Sequence, residues 1–293
     1  MDFAYHVVDV FTTTPMQGNA LAVFPDATGM ESATMQRVAR ELNLSETTFV
    51  LPRESQDGAT RVRIFTPAAE LRFAGHPTIG TAFVMRRLGI VDRHVESFAL
   101  NENVGRVPIR VDAGEDPILW LTTPPIRKLA EFSRDRCARA LSLSPDRLAA
   151  GVPCEQLSAG SPLIFVAVKD RAAVDAAQLD GAVYTDLLRA SREATSIFVF
   201  AATEHGAYSR MFAPQFGIIE DPATGGATGP LAAFMMKHGI VGSADGTKFV
   251  SEQGVKMGRR SLLHVFVHGE SGRDGIEVGG NVVHVAEGTM RLP

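Results

Sequence analysis

Cysteine is nearly absent from the 293-residue chain: Cys137 and Cys154 are the two it has, in unrelated contexts. They cannot build a disulfide frame or a thiolate zinc site, and they point to a reducing, cytoplasmic compartment. Apolar runs such as Leu163-Ile164-Phe165-Val166-Ala167-Val168 are strand-length, so no membrane span is expected. The start, Met1-Asp2-Phe3-Ala4, lacks the basic segment and apolar core of a secretion signal. Charge of one sign is not in excess. The formal net charge is −4, and Lys/Arg runs stop at pairs such as Arg86-Arg87 and Arg259-Arg260, which argues against nucleic acid as a partner. Gly225, Gly226 and Gly229 do not follow the dinucleotide order G-x-G-x-x-G, and no G-x-x-x-x-G-K-[ST] occurs. Ser45 has no G-x-S-x-G elbow around it. His264 and His268 share one face of a segment whose other face carries Leu263, Val265 and Val267. That reads as a solvated strand face, and no metal is expected. The remaining composition, 45% hydrophobic and 21% charged, is that of a globular chain of one large domain or two ordinary ones.

The stretch that organises the chain is Glu220-Asp221-Pro222-Ala223-Thr224-Gly225-Gly226-Ala227-Thr228-Gly229-Pro230, followed by apolar Leu231 to Met236. It reads as a glycine-rich loop opening a helix, with Pro230 in the first turn, where its missing N–H is harmless. Bare N–H groups at such a helix start can meet an anion. A tight surface turn is the bland alternative. An imperfect second copy changes the odds. Phe65-Thr66-Pro67, Glu70 and Ala74-Gly75-His76-Pro77-Thr78 precede an apolar helix through Ala82-Phe83 and Met85 that ends Arg86-Arg87-Leu88-Gly89-Ile90. The later copy has Phe212-Ala213-Pro214, the loop, a helix through Ala233-Phe234 and Met236, then Lys237-His238-Gly239-Ile240. Two matched halves, each presenting a helix N-terminus, point to one site at their seam.

Period-two alternation marks strands at Ala4–Phe11, Ala20–Phe24, 44–51 and Arg61–Thr66, with Gly18-Asn19 as a hairpin signal between the first two. Met35, Val38, Ala39 and Leu42 mark an amphipathic helix over 32–43. Helices over 77–88 and 230–238 are apolar on nearly every side, so other structure must surround them, and Gly89 and Gly239 cap their C-termini. Further strands follow near Ser97–Asn101, Arg106–Val111 and Ile118–Thr122. The second half has helices near Ser133–Leu141, Pro145–Ala150, Asp170–Gln178 and Thr185–Glu193. Its strands fall near Gln156–Ala159, Ile164–Lys169, Ser196–Ala202, Tyr208–Phe212, Lys248–Glu252, Ser261–Val267, Gly275–Val278 and Val282–Glu287. Strict βαβ alternation is missing, so the fold class is α+β rather than doubly wound. Thr123-Pro124-Pro125 divides residues 1–122, completed by the C-terminal strand near 280–293, from residues 123–279.

Five motifs in order then carry a resemblance: Val8-Asp9-Val10-Phe11 with Gly18-Asn19-Ala20-Leu21-Ala22-Val23, Asn43-Leu44-Ser45-Glu46-Thr47-Thr48-Phe49, Gly75-His76-Pro77-Thr78, Glu220 to Gly225, and Glu252-Gln253-Gly254 with Met257-Gly258-Arg259. Over nearly its whole length the chain resembles the phenazine-biosynthesis isomerase (PhzF-like) family. The resemblance implies a diaminopimelate epimerase-like fold of two pseudo-symmetric halves, each a curved, mostly antiparallel sheet around a central apolar helix. It also implies a cofactor-free isomerase, commonly a homodimer, whose archetype isomerises trans-2,3-dihydro-3-hydroxyanthranilate. The proton-shuttling Glu maps to Glu46, the assisting His to His76 and the Asp to Asp221. The family Ser falls on Gly226, a departure that touches the substrate more than the fold, with Thr224, Thr228 or water as substitutes. Asn19, Ser45, Gly75, Pro77, Thr78, Thr224, Gly225, Gly226 and Ala227 are the implied substrate-binding positions.

The chemistry is coherent beside the resemblance. Moving a carbon-bound proton needs a base whose pKa is raised by burial, and donors for the charge left behind. Glu46 is such a base if it is buried; residue type alone favours a solvent edge. His76 is either an acid, a neutral donor or a cap on its own helix. Asp221 is either an acid or an Asx-turn residue before Pro222. The expected function is a cofactor-independent isomerase or epimerase of a small carboxylate-bearing metabolite. The alternatives are a binding protein that keeps the cleft without turnover and, more weakly, a phosphate-ligand enzyme using the Gly225–Gly229 loop.

Overall fold

A computed structural model describes residues 1–191, 193 and 195–292, apart from the side chains of residues 55 and 56. The first half runs β1 (Asp2–Val10), β2 (Asn19–Phe24), α1 (Ser32–Leu42), β3 (Glu46–Gln56), β4 (Ala59–Phe65), β5 (Glu70–Leu71), α2 (Gly75–Arg87), β6 (Ser97–Glu102), β7 (Gly105–Val111) and β8 (Leu119–Thr122). The second runs β9 (Arg127–Phe132), α3 (Arg134–Ala140), β10 (Cys154–Ser158), β11 (Pro162–Val168), α4 (Arg171–Ala176), α5 (Gly181–Ala190), β12 (Ser196–Thr203), β13 (Gly206–Ala213), β14 (Ile218–Asp221), α6 (Gly225–Lys237), β15 (Lys248–Gln253), β16 (Ser261–His268) and β17 (Gly275–Gly280). A last strand, β18 (Val282–Arg291), returns to pair antiparallel with β1. The fold is α+β.

The pairing pattern repeats step for step. β1–β2 is antiparallel, β2–β3 parallel, β3–β4 antiparallel, β4–β6 parallel, and β6–β7–β8 antiparallel. β10–β11, β11–β12, β12–β13, β13–β15 and β15–β16–β17 follow the same order and senses. β8 and β17 pair antiparallel, which joins the two curved sheets into one. Each half wraps one helix: α2 touches β1, β2, β3, β8, β17 and β18, and α6 touches β10, β11, β16 and β17. Both helices are buried on nearly all sides, His76, Thr78, Thr81 and Thr228 included, as their largely apolar sequences require. Both end in the same cap. Ile90 N–H bonds the Met85 carbonyl and Gly89 the Arg86 carbonyl; Ile240 bonds Met235 and Gly239 bonds Met236. Gly89 and Gly239 take φ 73° and 65°, the left-handed turn that this cap needs.

Smaller details repeat as well. Arg63 grips Glu70 with two bonds of 2.8 and 2.6 Å while lying over the Phe65 ring. Arg210 grips Glu220 with two bonds of 2.8 Å while lying over Phe212. Each fork holds the chain just before its central helix in one geometry, so both helix starts are held in place. Across the halves, Arg259 bonds Asp9 at 2.6 Å and the Gly18 carbonyl at 2.8 Å. Two sequence motifs far apart in the chain are thus two ends of one clamp.

Several boundaries differ from those read in the sequence. Gly225–Gly229 is not a loop but the first turn and a half of α6, so Pro230 lies inside the helix. Glycine is a poor helix former by about 1 kcal/mol. Here close packing wins: a Cβ on Gly229 would fall 2.2 Å from Thr123 Oγ1. Pro145–Ala150 is only a 3-10 turn at Pro145–Arg147. α5 starts at Gly181 because Asp180 caps it, accepting from Ala182 and Val183 N–H; residue 192 of the expected helix lies outside the described residues, as does Pro293 of the closing strand. β9, which pairs with β10, lacked a clear alternation and was not expected. Cys137 and Cys154 are buried and free. Among the described residues, no helix is long and apolar enough to cross a membrane.

Candidate active site

The N-termini of α2 and α6 meet head to head. A Cβ on Gly75 would lie 2.4 Å from the Gly225 carbonyl carbon and 2.5 Å from Gly226 N, so only glycine permits this approach. First-turn N–H groups have no acceptor within their own helix. Those of both helices therefore face the same place with the positive ends of two helix dipoles behind them. Above this floor lies a cavity between the two halves. Glu46, Thr66, Leu71, Phe73, Gly75 and His76 line it from the first half. Ser161, Ser196, Met211, Phe216, Asp221 and Gly225 to Ala227 are among those that line it from the second.

Glu46 is the first residue of β3 and is buried, 7% exposed, against what its residue type suggests. Burial, then the negative charge of Asp221, pushes its carboxyl well above the usual range. His76, the second residue of α2, is pulled down to about 3 by burial and is neutral at physiological pH. Its Nε2 lies 3.3 Å from Glu46 Oε2, and neither atom has an aligned hydrogen bond among the described residues. Both are buried polar atoms left without a partner in residues that line the cavity.

Asn19 organises the other side. Its Nδ2 donates to Asp221 Oδ1 at 2.7 Å and to the Ala223 carbonyl at 3.0 Å, and lies 3.1 Å from His76 Nδ1. The amide has two protons for these three neighbours, and the His76 tautomer depends on which of them it serves. Thr224 Oγ1 donates to Asp221 Oδ2 at 2.5 Å, and Gln253 bonds both Thr224 and the Asp221 carbonyl. Burial pushes Asp221 up to about 7, and the bonds from Thr224 and Asn19 oppose it.

The structure brings Glu46, His76, Asp221, Gly75, Thr224, Gly225, Gly226 and Ala227 to the cavity wall, with Asn19 behind them. Ser45, Pro77 and Thr78 do not line it. The helix turns Thr78 away: its hydroxyl donates to the Ala74 carbonyl at 2.7 Å and lies 2.5 Å from the buried Glu102. Sequence reasoning missed Ser196, Ser161 and the apolar wall of Phe73, Met211 and Phe216. Ser196 was within reach, because it opens β12 as Glu46 opens the matching β3. Gly226 carries no hydroxyl, yet a Cβ there would meet ordinary contacts, 3.5 Å from Phe73.

Two pseudo-symmetric halves closing on a buried carboxyl and two helix N-termini define an isomerase of the epimerase-like fold. A family described as phenazine biosynthesis-like protein matches residues 8–288, and the chain belongs to it. It is 36% identical over 291 residues to the trans-2,3-dihydro-3-hydroxyanthranilate isomerase of Pseudomonas aeruginosa, covering 98% of this chain and 99% of that one. An uncharacterized isomerase of Mesorhizobium japonicum is 33% identical, with 98% of each chain covered. The PhzF-family phenazine biosynthesis protein of Bacillus anthracis superposes over 100% of both chains with a TM-score of 0.86 at 25% identity. A hydroxyproline epimerase of Agrobacterium vitis shares the fold, with a TM-score of 0.67 at 12% identity over 98% of this chain and 92% of that one.

Proposed function

We propose that the chain is a cofactor-independent isomerase that moves a carbon-bound proton within a small carboxylate-bearing metabolite, with Glu46 as the shuttle. The observation that carries this reading is the buried Glu46 carboxyl: the residue lines the cavity above the paired helix N-termini, and its Oε2 has no hydrogen-bond partner among the described residues. Ionised Glu46 takes the proton: the C–H bond breaks, an O–H bond forms on the carboxyl, and the electron pair spreads into the conjugated system of the substrate. The same O–H bond then breaks as a new C–H bond forms at another carbon. Backbone N–H groups of Gly75, His76, Gly225 and Gly226 hold the substrate carboxylate and the enolate-like charge. Neutral His76, in the tautomer protonated on Nε2, donates from that atom, and Asp221, held by Asn19 and Thr224, tunes the charge of Glu46. The same reading divides the chain at 123 into residues 1–122 plus the closing strand and residues 123–279, and takes the working enzyme as a cytoplasmic homodimer.

The test is deuterium wash-in from heavy water, with trans-2,3-dihydro-3-hydroxyanthranilate and related cyclic carboxylates as candidates. Glu46→Gln should lower exchange by about 10²–10⁴-fold, the span of a lost general base. Exchange as fast as in the parent would remove Glu46 from the role. The Gly226→Ser variant asks whether the hydroxyl missing here redirects the substrate preference.

A further inference from the structure

Two imidazoles and a carboxylate converge where β1 meets β18, outside the cleft. His6 Nδ1 lies 3.2 Å from His284 Nε2 and 3.6 Å from Glu287 Oε2, and His284 Nε2 lies 3.8 Å from the same oxygen. A tetrahedral ion with ligand bonds of about 2.0–2.2 Å sets its ligands about 3.3–3.6 Å apart, so these three atoms already span one face of such a polyhedron. A bulge in the strand pair produces the arrangement. Val7 pairs with Ala286 and Val8 with His284, which leaves Val285 as an extra residue. In a regular strand, residues 284 and 287 would point to opposite faces. The bulge turns both to the face that carries His6, the direct partner of Glu287. The cluster lies within charge range of Arg87, at the far end of α2, about 18 Å along that helix from Gly75. His6 is buried, His284 half-buried and Glu287 exposed, so a fourth position opens to solvent.

We propose that His6, His284 and Glu287 bind a divalent transition-metal ion of the zinc type. Two nitrogens and one oxygen suit that class of ion rather than calcium or magnesium, which take oxygen ligands. The ion ties the first strand to the last across 278 residues of sequence, closing the first half. The alternative for the same geometry is a bare N–H···N bond between the two imidazoles.

The test uses the untagged chain, stripped with chelator, then titrated with Zn2+ by calorimetry and with Co2+ by visible absorption. One equivalent per chain, a tetrahedral Co2+ spectrum and a higher melting temperature with Zn2+ are expected. His284→Ala and Glu287→Ala, both at solvent-reaching positions, should each weaken binding by about 100-fold or more and abolish the thermal gain. An absence of binding, or unchanged binding in both variants, overturns the proposal.

Discussion

Gly75 and Gly226 are neighbours in the same crossing of helix starts, yet the structure assigns them opposite tolerance. A methyl group on Gly75 would press on main-chain atoms at 2.4 and 2.5 Å, where no side chain can swing aside. Ordinary carbon contacts are about 3.5–4.0 Å, so α2 and α6 must part by roughly 1 Å. Overpacking of that kind costs about 1–3 kcal/mol. A methyl group on Gly226 would find Phe73 at 3.5 Å and Gly75 N at 3.6 Å, both normal. Alanine there gains up to about 1 kcal/mol of helix propensity. Gly75 is also a helical glycine and has the same propensity gain, so the stabilities of Gly75→Ala and Gly226→Ala should differ by the overpacking cost, about 1–3 kcal/mol, roughly 2–5 °C in melting temperature for a chain of this size. Thermal unfolding by circular dichroism reads the difference. Turnover adds a second signal, since a displacement of about 1 Å at a reacting centre can cost about 100-fold, and only Gly75→Ala imposes it. If Gly75→Ala melts together with Gly226→Ala, the abutting helix starts are not the floor of the site.

Glu102 is buried beside Thr78, and burial pushes it up to about 8 from 4.5, while Thr78 and Arg61 oppose the rise. A raised acid is neutral in the fold, so its contribution is complete below about pH 4.5 and is lost as pH rises through about 8. Between these values stability should fall by up to about 1.4 kcal/mol per pH unit, and Glu102→Gln should flatten the slope in urea melts from pH 5 to 8.5. An unchanged slope would mean that Glu102 does not stay protonated. His76, held near 3, should contribute no limb to the rate profile between pH 5 and 9. A limb near pH 7 belongs instead to the Asp221–Glu46 pair and should move in Asp221→Asn. An NMR titration placing His76 near 6.5 would contradict this.

The repeat was the most legible feature of the chain, because apolar helices and their glycine caps leave compact local signals. Lys237-His238-Gly239-Ile240 and Arg86-Arg87-Leu88-Gly89-Ile90 fold into the same cap from the same chemistry. The first turn and a half of α6 was not legible, because glycine prefers turns locally and only the facing Gly75 and Thr123 make helix the better state. Burial of Glu46 could not be inferred from residue type; Asn43-Leu44-Ser45-Glu46 had to be matched to a family first. Asn19 read as hairpin chemistry because its partners, Asp221 and His76, lie 202 and 57 residues away. The His6 cluster left no trace, since neither spacing nor periodicity announces a bulge that aligns two distant strands.

The pseudo-symmetry of the backbone does not extend to the reactive side chains. Glu46 opens β3 opposite Leu21, and Ser196 opens β12 opposite Leu163, so the two positions correspond. His76 and Gly226 likewise share the second place of their helices. A two-base racemase needs a proton acceptor on each side of the substrate, and at these paired positions only one side has one. If Glu46 works alone, as proposed, it both removes and returns the proton on one face of the substrate. In heavy water, the first turnover of protiated substrate should then give product that retains part of its original proton. Single-turnover quench with mass analysis measures that fraction. Complete replacement by solvent deuterium in the first turnover would require a second acid, with Asp221 the nearest carboxyl lining the cavity, and the single-shuttle mechanism would fail.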